Sequence, residues 1–237
     1  MVRPYRIGAL GAALALGCTP PAGDDSVADT GHDTLPRGAL AFTLPLADPS
    51  LMDPPVMGVD HDPEVYDGVY EAICADYLGR GFPHCYDEHH GSDFLLDGGF
   101  TTMDAGSAAI LAAADGTVID ADDGHYDRCH ADLSTQDIDC DGHPMEPNYV
   151  ILEHAGGWRT LYWHMKTGSV AVVPGQVVPQ GDLLGLVGSS GYSSTPHLHF
   201  QLEAADGTPI DPFAGPLSQP ETWWCDQGDP DGLPGGC

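Results

Sequence analysis

Positive charge is scarce in this chain: seven of its 237 residues are lysine or arginine, against 36 aspartates and glutamates. The formal net charge of −29 at pH 7 excludes nucleic acid as a partner, because a nucleic-acid-binding protein neutralises phosphates with clustered cations. The same charge argues against electrostatic adhesion to anionic membrane surfaces. Acidity by itself identifies no substrate.

Several sequence signatures are also missing. No C-x-x-C pair occurs, so neither a thiolate zinc site nor a dithiol redox motif is expected. No H-E-x-x-H motif offers a helical zinc site with a glutamate base. The chain has no convincing long amphipathic helix and consists mostly of short, glycine-punctuated segments. This pattern predicts an all-β fold, chiefly antiparallel, in one domain with disulfide-braced loops.

The N-terminal apolar run, Ile7–Leu16, is too short to cross a bilayer, which takes about 20 residues. It follows Arg3 and Arg6 and precedes Cys18, so residues 1–17 are predicted to be a signal peptide of an exported protein. The end of this segment resembles a bacterial lipoprotein box, in which the cysteine is acylated and anchors the protein to a membrane. Ordinary signal cleavage without a lipid is the alternative.

Residues 18–60 are rich in proline, alanine, glycine, aspartate and threonine and hold one short apolar patch, 39–46. Such a composition buries too little apolar surface to fold alone, so a lipidated tether is predicted, with the folded domain beginning at residue 61. Near its end, Met57–Pro63 carries one imidazole and two carboxylates, any of which could occupy the open position of a metal site. A solvated acidic linker is the alternative.

Six cysteines remain beside Cys18, and in an exported chain they predict three disulfides that join neighbours in sequence. The expected pairs are Cys74–Cys85, Cys129–Cys140 and Cys225–Cys237. The last pair closes a C-terminal tail, 217–237. These cysteines are expected to brace loops and to take no part in chemistry.

The second cysteine pair lies in an acidic insertion, 120–148. Within it, Asp137–Gly142 has the D-x-D-x-D-G start of a calcium-binding loop. The last ligand position of such a loop falls on Asn148, where an EF-hand requires a bidentate glutamate. The sequence therefore leaves two interpretations of this segment: a Ca²⁺ site, or a solvated loop held by its disulfide.

The segment Thr195–Glu203 alternates apolar and polar residues strictly, which is typical of a half-buried β-strand. Two imidazoles on one face, about 7 Å apart along the strand, allow one to bind a metal while the other reaches a ligand held by that metal. A solvent-facing strand that carries two histidines without function is the plain alternative. The face predicted to be buried carries Leu198, Phe200 and Leu202, and the opposite face carries His197, His199 and Gln201.

Two further segments offer candidate ligands. His89 and Asp93 lie in a turn that leads into a strand, and both side-chain types are normal zinc ligands. In Leu161–Met165, the alternation predicts Tyr162 and His164 on one face of a strand. Other strands are predicted over 108–113, 116–121, 149–153, 160–165 and 183–187. One hairpin is predicted at Asp115-Gly116 and another between strands 149–153 and 160–165.

These motifs, taken in order, resemble the lysostaphin-type zinc endopeptidases of bacterial peptidoglycan, which have a duplicated hybrid motif fold. The resemblance covers about 82–216 and implies a zinc metallopeptidase domain over 61–216, from which the insertion 120–148 departs. The matching stretches are His89-x-Gly91-x-Asp93-Phe94, Tyr162-x-His164, Val177-x-x-x-Gly181-Asp182-x-x-Gly185-x-Val187-Gly188 and Pro196-His197-Leu198-His199-Phe200.

The resemblance implies one Zn²⁺ per chain, held by His89, Asp93 and His199, with His164 and His197 as the catalytic pair. Three protein ligands leave zinc an open position for an activated water, and the two remaining histidines would handle protons and the developing oxyanion. The residues do not settle which of the two does which. His90 and His154 match no functional position and are interpreted as structural or exposed.

The implied function is hydrolysis of peptide cross-links, with peptidoglycan stem peptides as partners, by an enzyme of the periplasm or outer membrane that a lipid on Cys18 would anchor. Two alternatives stay open. The first is a non-catalytic cell-wall-binding or hydrolase-activating module, and the second is a secreted bacteriolytic or general protease. The sequence predicts no oligomeric state.

Overall fold

Strand β10, His197–Glu203, is the strand on which the main sheet of the computed structural model is built. It pairs in antiparallel fashion with β1 (Ser92–Leu95) on one side and with β7 (Arg159–Trp163) on the other. The three apolar side chains that alternation assigns to the core are all 0% exposed. The predicted His-x-His strand is therefore confirmed, but it is not half-buried. The opposite face, with His197, His199 and Gln201, is also at most 8% exposed.

The remaining elements are short. They are α1 (Phe100–Ala105), β2 (Ala109–Leu111), β3 (Gly116–Asp122), β4 (His130–Asp132), β5 (Asp137–Asp139), β6 (Tyr149–Glu153), β8 (Val177–Val178), β9 (Leu183–Leu186), β11 (Pro209–Ile210) and the 3-10 helices Pro49–Leu51 and Ala155–Gly157. The main sheet has the order β1-β10-β7-β6-β3-β8, with β11 also on β10, while β2-β9 and β4-β5 form two small sheets. Every pairing between these strands is antiparallel, so the predicted class, all-β and mainly antiparallel, is confirmed.

The structure describes residues 40–63, 73–135 and 137–237, all within one unit that extends over Arg37–Cys237. The predicted signal peptide, the lipidated cysteine and tether residues 18–39 lie outside the described residues. None of the helices found among the described residues has the length and apolar character needed to cross a membrane.

One predicted hairpin is confirmed and the other is wrong. Strands β6 and β7 pair with each other as expected. Strands β2 and β3 do not, because β2 pairs with β9 and β3 pairs with β6 and β8. The Asp115 groups that would close a turn are used elsewhere: its carbonyl contacts His154 Nδ1 at 2.8 Å and its carboxylate accepts from the Gln180 amide at 2.7 Å.

Residues 40–60 belong to the folded domain, so the predicted tether is wrong for this part of the chain. Phe42 is 0% exposed. Its amide donates to the Trp223 carbonyl at 2.7 Å, and its carbonyl accepts from the Cys225 amide at 2.9 Å. The apolar patch 39–46 is too small to fold alone, but it needs no core of its own when it docks on an existing one.

The C-terminal tail packs against the same core. Trp224 is 1% exposed, and its ring centroid lies 5.4 Å from that of Phe200 and 6.3 Å from that of Phe94. The three predicted disulfides, each between neighbours in sequence, are all present. The two ends of the described chain therefore close the inner face of the main sheet together.

The acidic insertion forms the β4-β5 hairpin, closed by the Cys129–Cys140 disulfide. The calcium prediction is not supported, because Asp137 and Asp139 belong to the extended strand β5 and do not lie on a loop that could wrap an ion. Asn148, at the supposed last ligand position, is 0% exposed and donates from Nδ2 to the Met165 carbonyl at 3.0 Å. It is a buried brace and not a failed metal ligand.

His154 is structural, as predicted. It is buried against Phe42, with its ring nitrogens 2.8 Å from the Asp115 carbonyl and 2.7 Å from Thr160 Oγ1. Burial lowers the pKa of His154, although the nearby carbonyl opposes this effect. The folded protein therefore keeps this imidazole neutral at pH values where an unfolded chain takes up a proton.

We expect His154 to make the unfolding free energy fall as the pH drops below about 6.5, the ordinary histidine pKa. Only the unfolded chain is protonated there, so the loss is at most about 1.4 kcal/mol per pH unit, and the contribution is complete above that pH. Urea unfolding at pH 7 and pH 5 should show a smaller decrease for His154→Gln than for the unchanged protein. Equal decreases would contradict the assignment, and His143→Gln, at an exposed position, is the control.

Candidate metal centre

The structure brings His89, Asp93 and His199 together at the junction of β1 and β10. Asp93 and His199 are directly opposite each other in the antiparallel register. Asp93 Oδ1 lies 2.8 Å from His199 Nδ1 and 3.2 Å from His89 Nε2, and these two nitrogens are 3.2 Å apart. All three side chains are buried. The predicted ligand atoms therefore converge on one point, in a sheet register that the sequence motifs alone did not reveal.

The second nitrogen of each imidazole faces a hydrogen-bond acceptor. His89 Nδ1 donates to the Gly58 carbonyl at 2.7 Å. His199 Nε2 lies 3.2 Å from Gln201 Oε1, and the Gln201 amide is oriented by its own donation to Glu203 at 2.7 Å. Since these contacts fix a proton on the outward nitrogen of each ring, the inward nitrogen of each neutral ring carries a lone pair.

These three side chains are suitable ligands for a zinc ion. Burial would raise the pKa of Asp93, but the neighbouring His89, His197 and His199 hold it well below its usual value, so the group is a carboxylate. One carboxylate oxygen and the inward nitrogens of two imidazoles then lie within 3.2 Å of one another. A single proton can satisfy only one of these contacts, whereas a divalent cation satisfies all three, and His₂Asp is an ordinary set of zinc ligands.

Gly91 is required because the His199 ring lies against its backbone. A Cβ atom at this position would come within 2.6 Å of His199 Cε1 and 2.8 Å of the Phe200 carbonyl oxygen. Neither neighbour can retreat easily, since Phe200 lies in β10 and the ring is held by Asp93 and Gln201. The glycine of the His-x-Gly-x-Asp motif thus makes room for the third ligand.

His164 and His197 lie beside the ligands with their ring centroids 4.6 Å apart. His164 Nδ1 donates to the Ser190 carbonyl and His197 Nδ1 to the Thr195 carbonyl, both at 2.7 Å. Burial lowers the pKa of both groups, His164 well below the ordinary value. Each is therefore a neutral imidazole with a free Nε2 lone pair, the form that can accept a proton.

His164 reaches the site in a way that strand alternation does not predict. Tyr162 is 0% exposed and packs edge-on against Phe200 in the core, so it does not share a face with His164 as expected. Strand β7 ends at Trp163, and His164 has a left-handed backbone with φ of +63°. This reversal turns the imidazole towards His197, and a period-two pattern carries no signal of it.

Loop 188–196 supplies the carbonyl groups that accept hydrogen bonds from His164 and His197. The loop is itself held by hydrogen bonds to other segments. The Ser190 hydroxyl donates to the Met165 carbonyl at 2.9 Å and accepts from the Asn148 amide at 2.9 Å. The Cys129 amide donates to the Ser189 carbonyl at 2.9 Å, which joins the acidic insertion to the same loop. The insertion thus supports the catalytic candidates and is more than a solvated appendage.

Tyr86 is a site residue that the sequence motifs did not reveal. Its hydroxyl donates to Asp93 Oδ2 at 3.0 Å, and its ring stacks on His89 with centroids 4.1 Å apart. Burial, followed by the Asp93 charge, raises the pKa of Tyr86, so the hydroxyl remains a donor. Asp93 Oδ2 also lies 3.5 Å from His197 Nε2. No periodicity links Tyr86 to the ligands, because it lies in an irregular loop.

The segment 57–61 is an integral part of the site. Met57 and Asp93 exchange two backbone hydrogen bonds, at 3.2 and 2.8 Å, and the Asp60 amide donates to the His89 carbonyl at 2.8 Å. His61 Nε2 lies 2.8 Å from Asp211, and Asp60 accepts from the amides of Asp62, Ala75 and Glu88. These contacts argue against the hypothesis that His61 or Asp60 occupies the open position of the metal site. For Asp62, the third group of that hypothesis, it stays a prediction, and residues 64–72 lie outside the described part of the chain.

A second group with metal-ligand chemistry is more exposed. His130, Asp139 and Asp141 of the insertion offer atoms within 4.8 Å of one another, but both carboxylates are exposed. Asp139 already accepts from the Asp141 amide at 2.8 Å. Nothing else distinguishes this group from ordinary surface acids, which are usually solvated.

Comparison with known proteins gives a consistent result. Residues 89–212, just over half of the chain, match the model of peptidase family M23, and this region contains all five predicted site residues. Similar proteins include the DD-carboxypeptidase/endopeptidase Mpg of Neisseria meningitidis (39% identical over 80 residues, 34% of this chain and 18% of that protein) and the peptidoglycan DD-endopeptidase ShyA of Vibrio cholerae (38% over 60 residues, 25% and 14%). The chain spans less than a fifth of the length of these relatives.

A similar solved structure is the catalytic domain of the antimicrobial peptidase lysostaphin from Staphylococcus simulans. It is 26% identical, and the match covers 57% of this chain and 82% of that chain with a TM-score of 0.37. Gly58 and Tyr86, which contact the predicted ligands here, lie before the region that matches the family model.

Proposed function

Because the chain belongs to peptidase family M23, we propose that it is a zinc-dependent endopeptidase that hydrolyses peptide cross-links of bacterial peptidoglycan. One observation carries this proposal: the ligand atoms of His89, Asp93 and His199 lie within 3.2 Å of one another, directly beside His164 and His197. The relative from Vibrio cholerae is a peptidoglycan DD-endopeptidase, which supports a peptidoglycan substrate. An extracellular or periplasmic location, with a lipid on Cys18, is part of the proposal.

Zinc would be held by the two imidazoles and the Asp93 carboxylate, and it would supply Lewis acidity that lowers the pKa of a water to about 7. His164 and His197 present Nε2 lone pairs beside this cluster, so each can take a proton from an attacking water. Once protonated, each can donate to the developing oxyanion or to the leaving amine. The Ser190 and Thr195 carbonyls fix the tautomers of the two rings, and this orientation needs no rearrangement during the reaction.

The direct test is digestion of purified peptidoglycan sacculi by the zinc-loaded protein, with mass analysis of the released fragments and metal analysis of the same sample. Cross-linked peptides should be converted to uncross-linked ones, and a chelator should stop the conversion. Zinc-loaded protein that releases no fragments from several chemotypes of peptidoglycan would overturn the substrate while leaving the metal centre intact.

His164→Ala and His197→Ala should each lower turnover by roughly 10²- to 10⁴-fold, the usual contribution of a positioned acid or base. Neither side chain belongs to the predicted ligand set, so both variants should retain zinc. His90→Ala is the matched control, because His90 is an exposed histidine next to a ligand in sequence and its loss should change neither property. If either substitution emptied the site of metal, the division into ligands and catalytic residues would have to be redrawn.

A further inference from the structure

The two oxygens of the Asp93 carboxylate have different surroundings. Oδ1 faces the ligand nitrogens, at 2.8 Å from His199 and 3.2 Å from His89. Oδ2 points away from them and lies 3.0 Å from the Tyr86 hydroxyl and 3.5 Å from His197 Nε2. Asp93 itself is 3% exposed, so water has little access to either oxygen.

A buried carboxylate oxygen needs a hydrogen-bond donor, and the Tyr86 hydroxyl at 3.0 Å lies closer to Oδ2 than His197 Nε2 does at 3.5 Å. The single ring proton of His197 is on Nδ1, where it is donated to the Thr195 carbonyl at 2.7 Å. Its Nε2 is then an acceptor facing another acceptor. The Tyr86 hydroxyl is therefore the group that satisfies Oδ2, and it divides the carboxylate into a metal-facing oxygen and an anchored oxygen.

Tyr86 is itself held in place. Its ring is stacked on His89 at an interplanar angle of 21°, and the His89 ring is anchored by the Gly58 carbonyl at 2.7 Å. One side chain thus contacts two of the three predicted ligands, the first through its ring and the second through its hydroxyl. A phenol fixed in this way resists rotation of the Asp93 carboxylate about its own axis.

We propose that Tyr86 is a positioning residue of the metal centre, whose hydroxyl anchors Asp93 Oδ2 and thereby presents Oδ1 alone to the ion. This inference rests on the proposed zinc site but not on the identity of the substrate. Without the hydroxyl, Oδ2 loses its donor and the carboxylate can rotate. Oδ1 is then no longer held facing the two imidazole nitrogens, and zinc binding weakens.

Tyr86→Phe tests the proposal because it removes the hydroxyl and keeps the ring that stacks on His89. The matched control is Tyr149→Phe, since Tyr149 also donates its hydroxyl to an aspartate, Asp120 Oδ2 at 2.9 Å, on the far strands β6 and β3. The zinc dissociation constant of each protein is measured by competition with a chelating dye. Tyr86→Phe should weaken zinc binding by about 10- to 100-fold, whereas Tyr149→Phe should leave it unchanged.

A second readout separates positioning from general destabilisation. The visible absorption spectrum of the cobalt(II)-loaded protein reports coordination directly, and it should change in Tyr86→Phe but not in Tyr149→Phe. Metal-free thermal unfolding of the two variants establishes that both are folded. Wild-type zinc affinity together with a wild-type cobalt spectrum in Tyr86→Phe would overturn the proposal, whereas a zinc-binding protein inactive on peptidoglycan would overturn only the proposed function.

Discussion

His199→Ala and Asp93→Ala are each expected to reduce the zinc content of the purified protein from about one ion per chain to background and to abolish peptidase activity. Each substitution removes one of three converging ligand atoms, and the second also removes the carboxylate charge that the cluster needs. The fold should persist, because both side chains face the site and not the aromatic core, and the three disulfides remain. Metal analysis, near-ultraviolet circular dichroism and sacculus digestion measure the three properties.

His130→Ala is the control for this experiment. His130 belongs to the exposed group in the insertion, so its loss should leave the zinc content at about one ion per chain. If His130→Ala lost zinc and His199→Ala retained it, the metal centre would have been assigned to the wrong cluster. Zinc affinity of the unchanged protein should also weaken in acid, because protons compete for the imidazole nitrogens.

A chain truncated to begin at Asp67 is expected to bind no zinc and to have no activity. Among the residues that the structure describes, truncation removes five buried apolar side chains, whose burial is worth about 8 to 15 kcal/mol, as much as the whole stability of an ordinary domain. It also removes the Gly58 carbonyl that orients His89. The five side chains are Phe42, Leu44, Leu46, Met52 and Val59.

This outcome is the reverse of what an occluding linker would give. If the upstream segment merely covered the metal, its removal would raise activity on sacculi. A chain that begins at Gly38 keeps every described contact of residues 40–63 and is the matched control, which should bind zinc and cleave. Higher activity of the shorter chain at equal zinc content would restore occlusion as the explanation.

The site residues could be predicted from short motifs because each motif specifies a local geometry. The alternation around His197 and His199 placed both imidazoles on one face of a strand, and the glycine between His89 and Asp93 left room for the His199 ring. The structure brings all five predicted residues together, and the family match covers them. Their individual roles remain predictions that the substitutions above test.

Other parts of the site could not be predicted because they depend on contacts between distant segments. No pattern marks Gly58 as the acceptor for His89, since a backbone carbonyl is the same in every residue. The left-handed turn at His164 breaks the alternation that had placed Tyr162 beside it. Residues 40–60 failed as a predicted tether because composition measures the ability to fold alone and not the ability to dock.

The backbone pairing of Phe42 with Trp223 and Cys225 makes the core depend on residues that are synthesised long after Phe42. Contacts at such sequence separation are slow to form, and the loop between them must close before they contribute. A chain that stops before Trp223 therefore has an open core, against which the segment that orients His89 cannot settle.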